Sequence, residues 1–381
     1  MSAAPQLITG RPTWAEIDLD ALASNFNVVK QIVGAAVNVM AVVKANAYGH
    51  GASECSRRLE RAGAKWFGVA LPEEGLALRQ TGIAASILCL GGVWQGQEAA
   101  CVQHNLIPVV YRVDIVEALD RAAQDAGTTI NVHVKVDTGM GRLGVRFDEL
   151  SNFLFELKRF KSIHVDGVMT HFAAADEASC EPLTERQLER FGNALQMFGE
   201  HGFHPAYRHL ANSAALYSQP RAFGNMVRPG GVLYGLWRDV LPLNVSGKDL
   251  RPVMTLKTRI ALLKWVPPGE TIGYGCTFEA SRRSLIATLP VGYDDGYMRG
   301  LSNRAHVIVR GTLAPVVGRI SMDLSLVDVT NVQGVSLDDE VTLFGAAGDQ
   351  KIAVEELARI VGTLSYEVTC RVGERVPRIA I

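Results

Sequence analysis

Apolar and polar positions follow two different rhythms along this chain, and the change between them divides it. The first strong block is Val37 to Val43, almost uniformly apolar and rich in valine, which predicts a strand buried on both faces. Before it, TWAEIDLDAL predicts a short strand leading into a helix. Leu22, Phe26, Val29 and Ile32 recur there at helical spacing, with Asp20 as a capping residue. After it, apolar runs at KWFGVA, SILCLG, LIPVVY, INVHVKVD, HVDGVMTHF, YRHLANS and GNMVRPGG alternate with helical stretches. ECSRRLERAG, EEGLALRQTG, VDIVEALDRAAQDAG and ERQLERFGNALQMFGEHG are examples. Counting the valine-rich strand, this makes eight strand–helix units in roughly the first 240 residues, the arithmetic of a closed (β/α)8 barrel of the TIM type. An open doubly wound sheet needs no eighth unit and usually brings a glycine-rich dinucleotide loop, but no GxGxxG occurs here.

From about Asp239 onward the rhythm shortens to period two. MTLKTRIALLKWV, SLIATLPVG, AHVIVRG, LAPVVGRI, LSLVDV and DEVTLFG are short strand candidates separated by turns such as PPGE and GAAG, and one late helix is expected at KIAVEELARIVG. The expected organisation is therefore a barrel over 1–240 and a mainly β domain over 241–381, with the N-terminal strand a candidate to join the second domain. A chain of 381 residues exceeds what one core usually serves, which agrees with two domains.

Charge narrows the function by exclusion. Lys plus Arg at 38 against Asp plus Glu at 39 leaves a net charge of -1, so neither nucleic acid nor an anionic membrane is an expected partner. No run of apolar residues is long enough to span a bilayer, and MSAAPQLITG has no leader-like core, so a frayed start and a cytoplasmic protein are expected. Cys55, Cys89, Cys101, Cys180, Cys276 and Cys370 form no CxxC pair. They read as buried free thiols in a reducing compartment rather than a disulfide framework or a metal site.

Active sites of such barrels lie at the carboxyl ends of the strands. Lys44 and Tyr48 follow the first strand, and Lys135 and Asp137 end the fifth, with Arg142 in the loop beyond. His171 ends the sixth, Asn212 and Ser213 follow the seventh, and Arg228 ends the eighth, before Gly230 and Gly231. Each residue alone has an ordinary explanation: a strand must end in something polar, and Asn212 or Ser213 would cap the next helix. Several ionisable groups converging on one mouth go beyond what packing requires. Ser213 and the glycine pair suit an anion. A lysine amine, a phosphate seat and an arginine together point to pyridoxal phosphate.

The stretch AVVKANAYGHG resembles the cofactor-attachment signature of the alanine racemase family. The resemblance continues through KVDTGMGRLG, GVMTHFAAAD, HLANSAA, MVRPG, IGYGCTF, LPVGYDDGYMR, VVGRISMD and GTLSYEVTC, in order and across nearly the whole chain. It implies pyridoxal-phosphate-dependent interconversion of L- and D-alanine, with the product serving cell-wall peptidoglycan. It also implies that Lys44 carries the cofactor and acts as one acid–base group. Tyr274 would be the other, supplied across a homodimer. His171 would support Tyr274, and Arg228 would support His171 and face the cofactor's ring nitrogen. Tyr48, His209, Asn212, Ser213, Gly230 and Tyr366 would hold the cofactor, chiefly its phosphate. Arg142 and the Met322 backbone N–H would meet the amino-acid substrate, Tyr293 and Asp323 would shape the entrance, and Lys135 would be carbamylated and hold Arg142. Gly231 departs from the family's usual branched residue, which would loosen the phosphate seat or free its loop. Racemisation of serine or lysine, a barrel-type decarboxylase and a non-catalytic pyridoxal-phosphate-binding protein are the alternatives.

Overall fold

The computed structural model describes residues 10–381, and the expected frayed start falls on residues that lie outside this range. The described chain forms two compact units, one of Asp20–Arg251 and one joining the residues up to Leu19 with Pro252–Ile381.

In the larger unit, eight parallel strands stand in the order that a barrel requires. They are Asn38–Val42, Trp66–Val69, Ser86–Cys89, Leu106–Val110, Ile130–Asp137, Ile163–Met169, Tyr207–His209 and Met226–Val227, with the last paired back onto the first. The seventh and eighth are short, so closure between them is made by loop backbone. The Asn225 N–H donates to the Arg208 carbonyl at 3.1 Å and the Arg228 N–H to the Ala211 carbonyl at 2.9 Å. Helices follow most strands, among them Ala52–Arg61, Pro72–Gln80, Val113–Asp125, Leu150–Leu157 and Glu181–Glu200. The helix preceding the first barrel strand runs Leu19–Val33. Asp20 lies inside its first turn rather than capping it and pairs with Arg58 at 3.0 Å, while Val33 is buried and Ile32 exposed.

Met40, Trp66, Leu88, Ile107, Val109, Met169 and Met226, drawn from six of the eight strands, fill the barrel interior. One polar ring lies among them. His133 is fully buried against Trp66 and Tyr207, and there is room for it because the neighbouring strand carries Gly167 beside it, where any Cβ would overlap the imidazole.

The smaller unit is a β structure. Its largest sheet runs Thr312–Pro315, His306–Val309, Glu340–Ala347, Met254–Arg259, Thr13–Ile17 and Arg378–Ala380. Thr13–Ile17 pairs antiparallel with Met254–Arg259 and parallel with Arg378–Ala380, so the N-terminal strand is a central strand of this sheet. A three-stranded sheet of Leu262–Val266, Ser284–Leu289 and Ser325–Asp328 and a hairpin of Thr271–Ile272 with Phe278–Glu279 complete it. All six cysteines are free, but two of them correct the expectation of burial. Cys276 sits in an exposed turn, and YEVTC is the helix Ser365–Cys370, which puts Cys370 on its open last position. Among the described residues no helix is long and apolar enough to cross a membrane.

Candidate active site

The residues expected at the barrel mouth are brought together there, and Arg228 is the centre of the group. Its guanidinium is buried and has no carboxylate partner among the described residues. Nη1 donates to the His209 carbonyl at 2.7 Å and to His209 Nδ1 at 3.0 Å. The two hydrogens of Nη2 are shared among three acceptors, the carbonyls of Thr170 at 2.8 Å and Leu210 at 2.9 Å and His171 Nδ1 at 3.2 Å. Nε–H is the remaining donor. Burial pushes the guanidinium down to about 9, which leaves it protonated at neutral pH.

A guanidinium can only donate, so these contacts decide the tautomers of two histidines. His171 and His209 each accept at Nδ1 and therefore carry their proton on Nε2. His209 passes the constraint inward: its Nε2 lies 2.8 Å from His133 Nδ1, so His133 also carries its proton on Nε2, a buried atom with no hydrogen-bond partner among the described residues. Burial first, and then the Arg228 charge, holds all three imidazoles below the ordinary histidine range, with His133 down to about 3. They are neutral at neutral pH.

Lys135 ends the fifth strand, buried, in a cationic setting. Burial, then Arg228, Arg142 and Lys44, pushes its amine down to about 8. Arg142, exposed in the following loop, makes no hydrogen bond or ion pair with any described residue. Asp137 is spent on shaping that loop, accepting from the N–H groups of Gly139 and Gly141 at 3.0 Å each.

Lys44 opens an unusual turn. Ala45, Asn46, Ala47 and Tyr48 all have φ between 52° and 55°, a left-handed turn made without glycine. This conformation costs about 1–2 kcal/mol for each such residue and persists only where the surroundings over-determine it. Here they do. The Ala47 and Gly49 N–H groups bond the Val43 and Ala45 carbonyls at 2.8 and 2.9 Å, Asn46 Oδ1 accepts from the Ala52 N–H at 2.8 Å, and Glu74 accepts from the Ala45 N–H at 2.7 Å. The turn aims the Tyr48 hydroxyl at Gly230, where a Cβ would overlap it. The Gly230 N–H in turn donates to Ser213 Oγ at 2.9 Å. Asn212 caps the short helix behind, accepting from the Ala215 N–H at 3.0 Å. Gly231 does not adopt a positive φ and simply begins a 3-10 turn, Gly231–Tyr234.

The smaller unit presents its own set of residues. Tyr274 is 72% exposed in a 3-10 turn, Tyr274–Cys276, at the tip of the two-stranded hairpin. Gly273 and Gly275, with φ of 77° and 72°, flank it and let the turn press onto Arg319. Tyr293 and Met322 lie on adjoining turns stitched by two backbone bonds, Tyr293 N–H to the Ser321 carbonyl at 3.0 Å and Asp294 N–H to the Met322 carbonyl at 3.2 Å. The Met322 N–H has no partner among the described residues. Asp323 is held by Arg375 at 2.9 Å, and Tyr366 is half-buried on the helix Ser365–Cys370.

Glu74 and His133 escape a reading of strand ends. His133 was within reach, because His133, Lys135 and Asp137 share one face of an otherwise valine strand.

Residues 17–237 match the family described as alanine racemase, N-terminal domain, and residues 253–380 match alanine racemase, C-terminal domain. An alanine racemase of Geobacter sulfurreducens is 45% identical over 376 residues, covering 97% of each chain, and one of Halothermothrix orenii is 45% identical over 370 residues, covering 97% and 96%. A solved alanine racemase of Clostridium difficile 630 superposes with a TM-score of 0.92 at 35% identity, over 99% of this chain and 97% of that one.

The three neutral imidazoles make stability depend on pH. In the unfolded chain they bind protons near 6.5, whereas in the folded chain they resist to lower pH. Below pH 6.5 the unfolded state therefore holds more protons, and stability is lost on acidification by up to about 1.4 kcal/mol per pH unit for each histidine. Denaturant unfolding at pH 7, 6 and 5 is expected to show this slope, and His133→Phe to make it shallower by one group's share. An unchanged slope would mean that His133 is not held neutral.

Proposed function

The chain belongs to the alanine racemase family, and on that premise we propose that Lys44 and Tyr274 are the two acid–base groups of its pyridoxal-phosphate-dependent racemisation of alanine. The observation that carries this reading is the composition of the mouth. Lys44, Lys135, Arg142 and Arg228 gather there with no carboxylate to neutralise Arg228, beside a seat formed by Tyr48, Ser213 and Gly230. Such a site asks for an anion. A phosphorylated aldehyde fits it: the Tyr48 hydroxyl, Ser213 hydroxyl and Gly230 backbone suit a phosphate, the Arg228 Nε–H suits a ring nitrogen, and the Lys44 amine suits the aldehyde carbon. His209 and Asn212 act one step behind by fixing Arg228 and the Ser213 helix. When bound, pyridoxal phosphate supplies the electron sink that makes the α-proton of an amino acid removable.

The chain's own residues then move that proton. Lys44 takes or returns it on one face of the α-carbon and Tyr274 on the other, so neither group has to swing around the substrate. Tyrosine is a poor base, with an ordinary pKa of about 10. A hydrogen bond donated to its phenolate oxygen, with a buried positive charge behind it, improves it. His171 is prepared for this role, since Arg228 fills its Nδ1 and leaves the Nε2–H as a donor. Tyr274 projects from an exposed hairpin, and we assign it to the barrel mouth of a second copy in a homodimer. Arg142 and the unpartnered Met322 N–H take the substrate carboxylate, and Tyr293 and Asp323 line the approach. The free thiols accord with a reducing cytoplasm.

Lys135 fits carbamylation. Its depressed pKa keeps part of the amine uncharged near neutral pH, able to add to carbon dioxide with formation of an N–C bond and loss of one proton to solvent. The resulting carboxylate would offset the surrounding cations and give Arg142 the acceptor it lacks. Depleting bicarbonate is expected to lower the activity reversibly in the wild type and not in Lys135→Gln. Equal insensitivity would contradict the modification.

The acid–base assignment is tested by α-deuterium incorporation in heavy water, starting separately from L-alanine and D-alanine. The wild type is expected to incorporate from both. Tyr274→Phe is expected to lose incorporation from L-alanine by about 10²-fold or more while retaining lysine-dependent incorporation from D-alanine. Normal incorporation in both directions would show that Tyr274 is not a base.

A further inference from the structure

Gln187 lies in the middle of the helix Glu181–Glu200, yet it is 0% exposed and every polar atom of its amide is bonded. Nε2 donates to the His171 carbonyl at 2.9 Å and to the Thr138 hydroxyl at 3.2 Å, while Oε1 accepts from the Ala173 N–H at 3.0 Å. The Thr138 hydroxyl also bonds the Thr170 hydroxyl at 2.7 Å, and the Thr170 carbonyl accepts from Arg228. One turn along the same helix, Arg190 donates to the Thr138 carbonyl at 3.0 Å. A single helix face thus grips two loops, the one leading to Arg142 and the one carrying His171.

We propose that Gln187 is a positioning residue for proton transfer on the Tyr274 face, acting by pinning the backbone on both sides of His171 so that Arg228 can seat its imidazole. This assignment rests on the two-base reading above. Its physical basis is where the three bonds end. Two of them hold the carbonyl of residue 171 and the N–H of residue 173, so the loop that carries the imidazole is fixed at both ends of a short span. The imidazole itself is held by the longest of the five Arg228 contacts, 3.2 Å, the one most easily lost if that backbone drifts by a few tenths of an ångström. The third bond ties the same amide to Thr138, which couples the Arg142 loop to the clamp. A methionine of similar length would fill the space but make none of these bonds. A glutamate would keep the acceptor for the Ala173 N–H and could accept from the Thr138 hydroxyl, but it could not donate to the His171 carbonyl.

The test uses the cofactor-loaded enzyme and the variants Gln187→Met and Gln187→Glu, with two measurements. The first is amide hydrogen exchange across residues 171–174, which needs no turnover. The second is the ratio of α-deuterium exchange to racemisation starting from D-alanine. That ratio rises when Lys44 still removes the proton but the Tyr274 face delivers one poorly. Gln187→Met is expected to exchange the Ala173 amide about tenfold faster, the loss of one hydrogen bond's worth of protection, and to raise the ratio severalfold. Gln187→Glu is expected to retain Ala173 protection and still raise the ratio, and it carries the test if the methionine variant does not fold. A fall in overall rate with the ratio unchanged in the folded variants would overturn the proposal and leave Gln187 as a packing residue. Tyr274→Phe separates the two levels. If it raises the ratio and neither Gln187 variant does, the clamp alone falls; if it does not raise the ratio, the two-base reading falls and the clamp's assigned role with it.

Discussion

A protonated guanidinium buried without a carboxylate is the constraint on which the rest of the barrel mouth depends. Taking such a charge out of water costs several kcal/mol, and here only dipoles offset it: three carbonyls and two imidazole nitrogens around Arg228. Because a carboxylate would have neutralised it, its absence leaves the positive charge available to whatever enters the mouth. Burial, and then the same charge, disfavours protonation of the neighbouring bases, so His171 and His209 stay neutral and the Lys135 amine is pushed down to about 8. One residue thus sets the tautomer of two histidines, adds to the depression of a lysine amine and gives the site its preference for anions.

Rigidity comes from the opposite side of the mouth. The turn from Ala45 to Tyr48 holds four residues in a left-handed conformation, stored strain of several kcal/mol that the Glu74 and Asn46 contacts and the backbone ladder keep in place. Its effect is to deliver the Lys44 amine and the Tyr48 hydroxyl from one stiff segment. Gly230 completes the arrangement because any side chain there would displace that hydroxyl. A lysine that must present its amine to one face of a flat substrate benefits from a base that does not wander.

Much of this was legible in the chain itself, and what was not has physical reasons. The eight strands could be read because buried parallel strands are near-continuous apolar runs. The strand-end residues could be read because a barrel places its site at that end. The central position of Thr13–Ile17 in the second sheet was visible only as a candidate, since strand pairing is non-local. The left-handed turn left no trace beyond Asn46, because ANAY has no glycine to mark a positive φ. Cys370 was expected to be buried, and the helix Ser365–Cys370 instead leaves it on an exposed end. Gln187 and Glu74 lie on helices rather than at strand ends. Their importance comes from hydrogen bonds to loop backbone, which no residue pattern encodes.

Burial and the Arg228 charge together hold His171 neutral, and the Arg228 contact at Nδ1 puts its proton on Nε2. Nitrogen NMR of the enzyme carrying 15N-labelled histidine measures this directly. At pH 7 the His171 signals are expected to show an unprotonated Nδ1 and a protonated Nε2, and the pattern to persist as the pH is lowered below 6.5. An imidazolium at pH 7, or a proton on Nδ1, would contradict it, because the histidine would then owe its orientation to something other than the guanidinium.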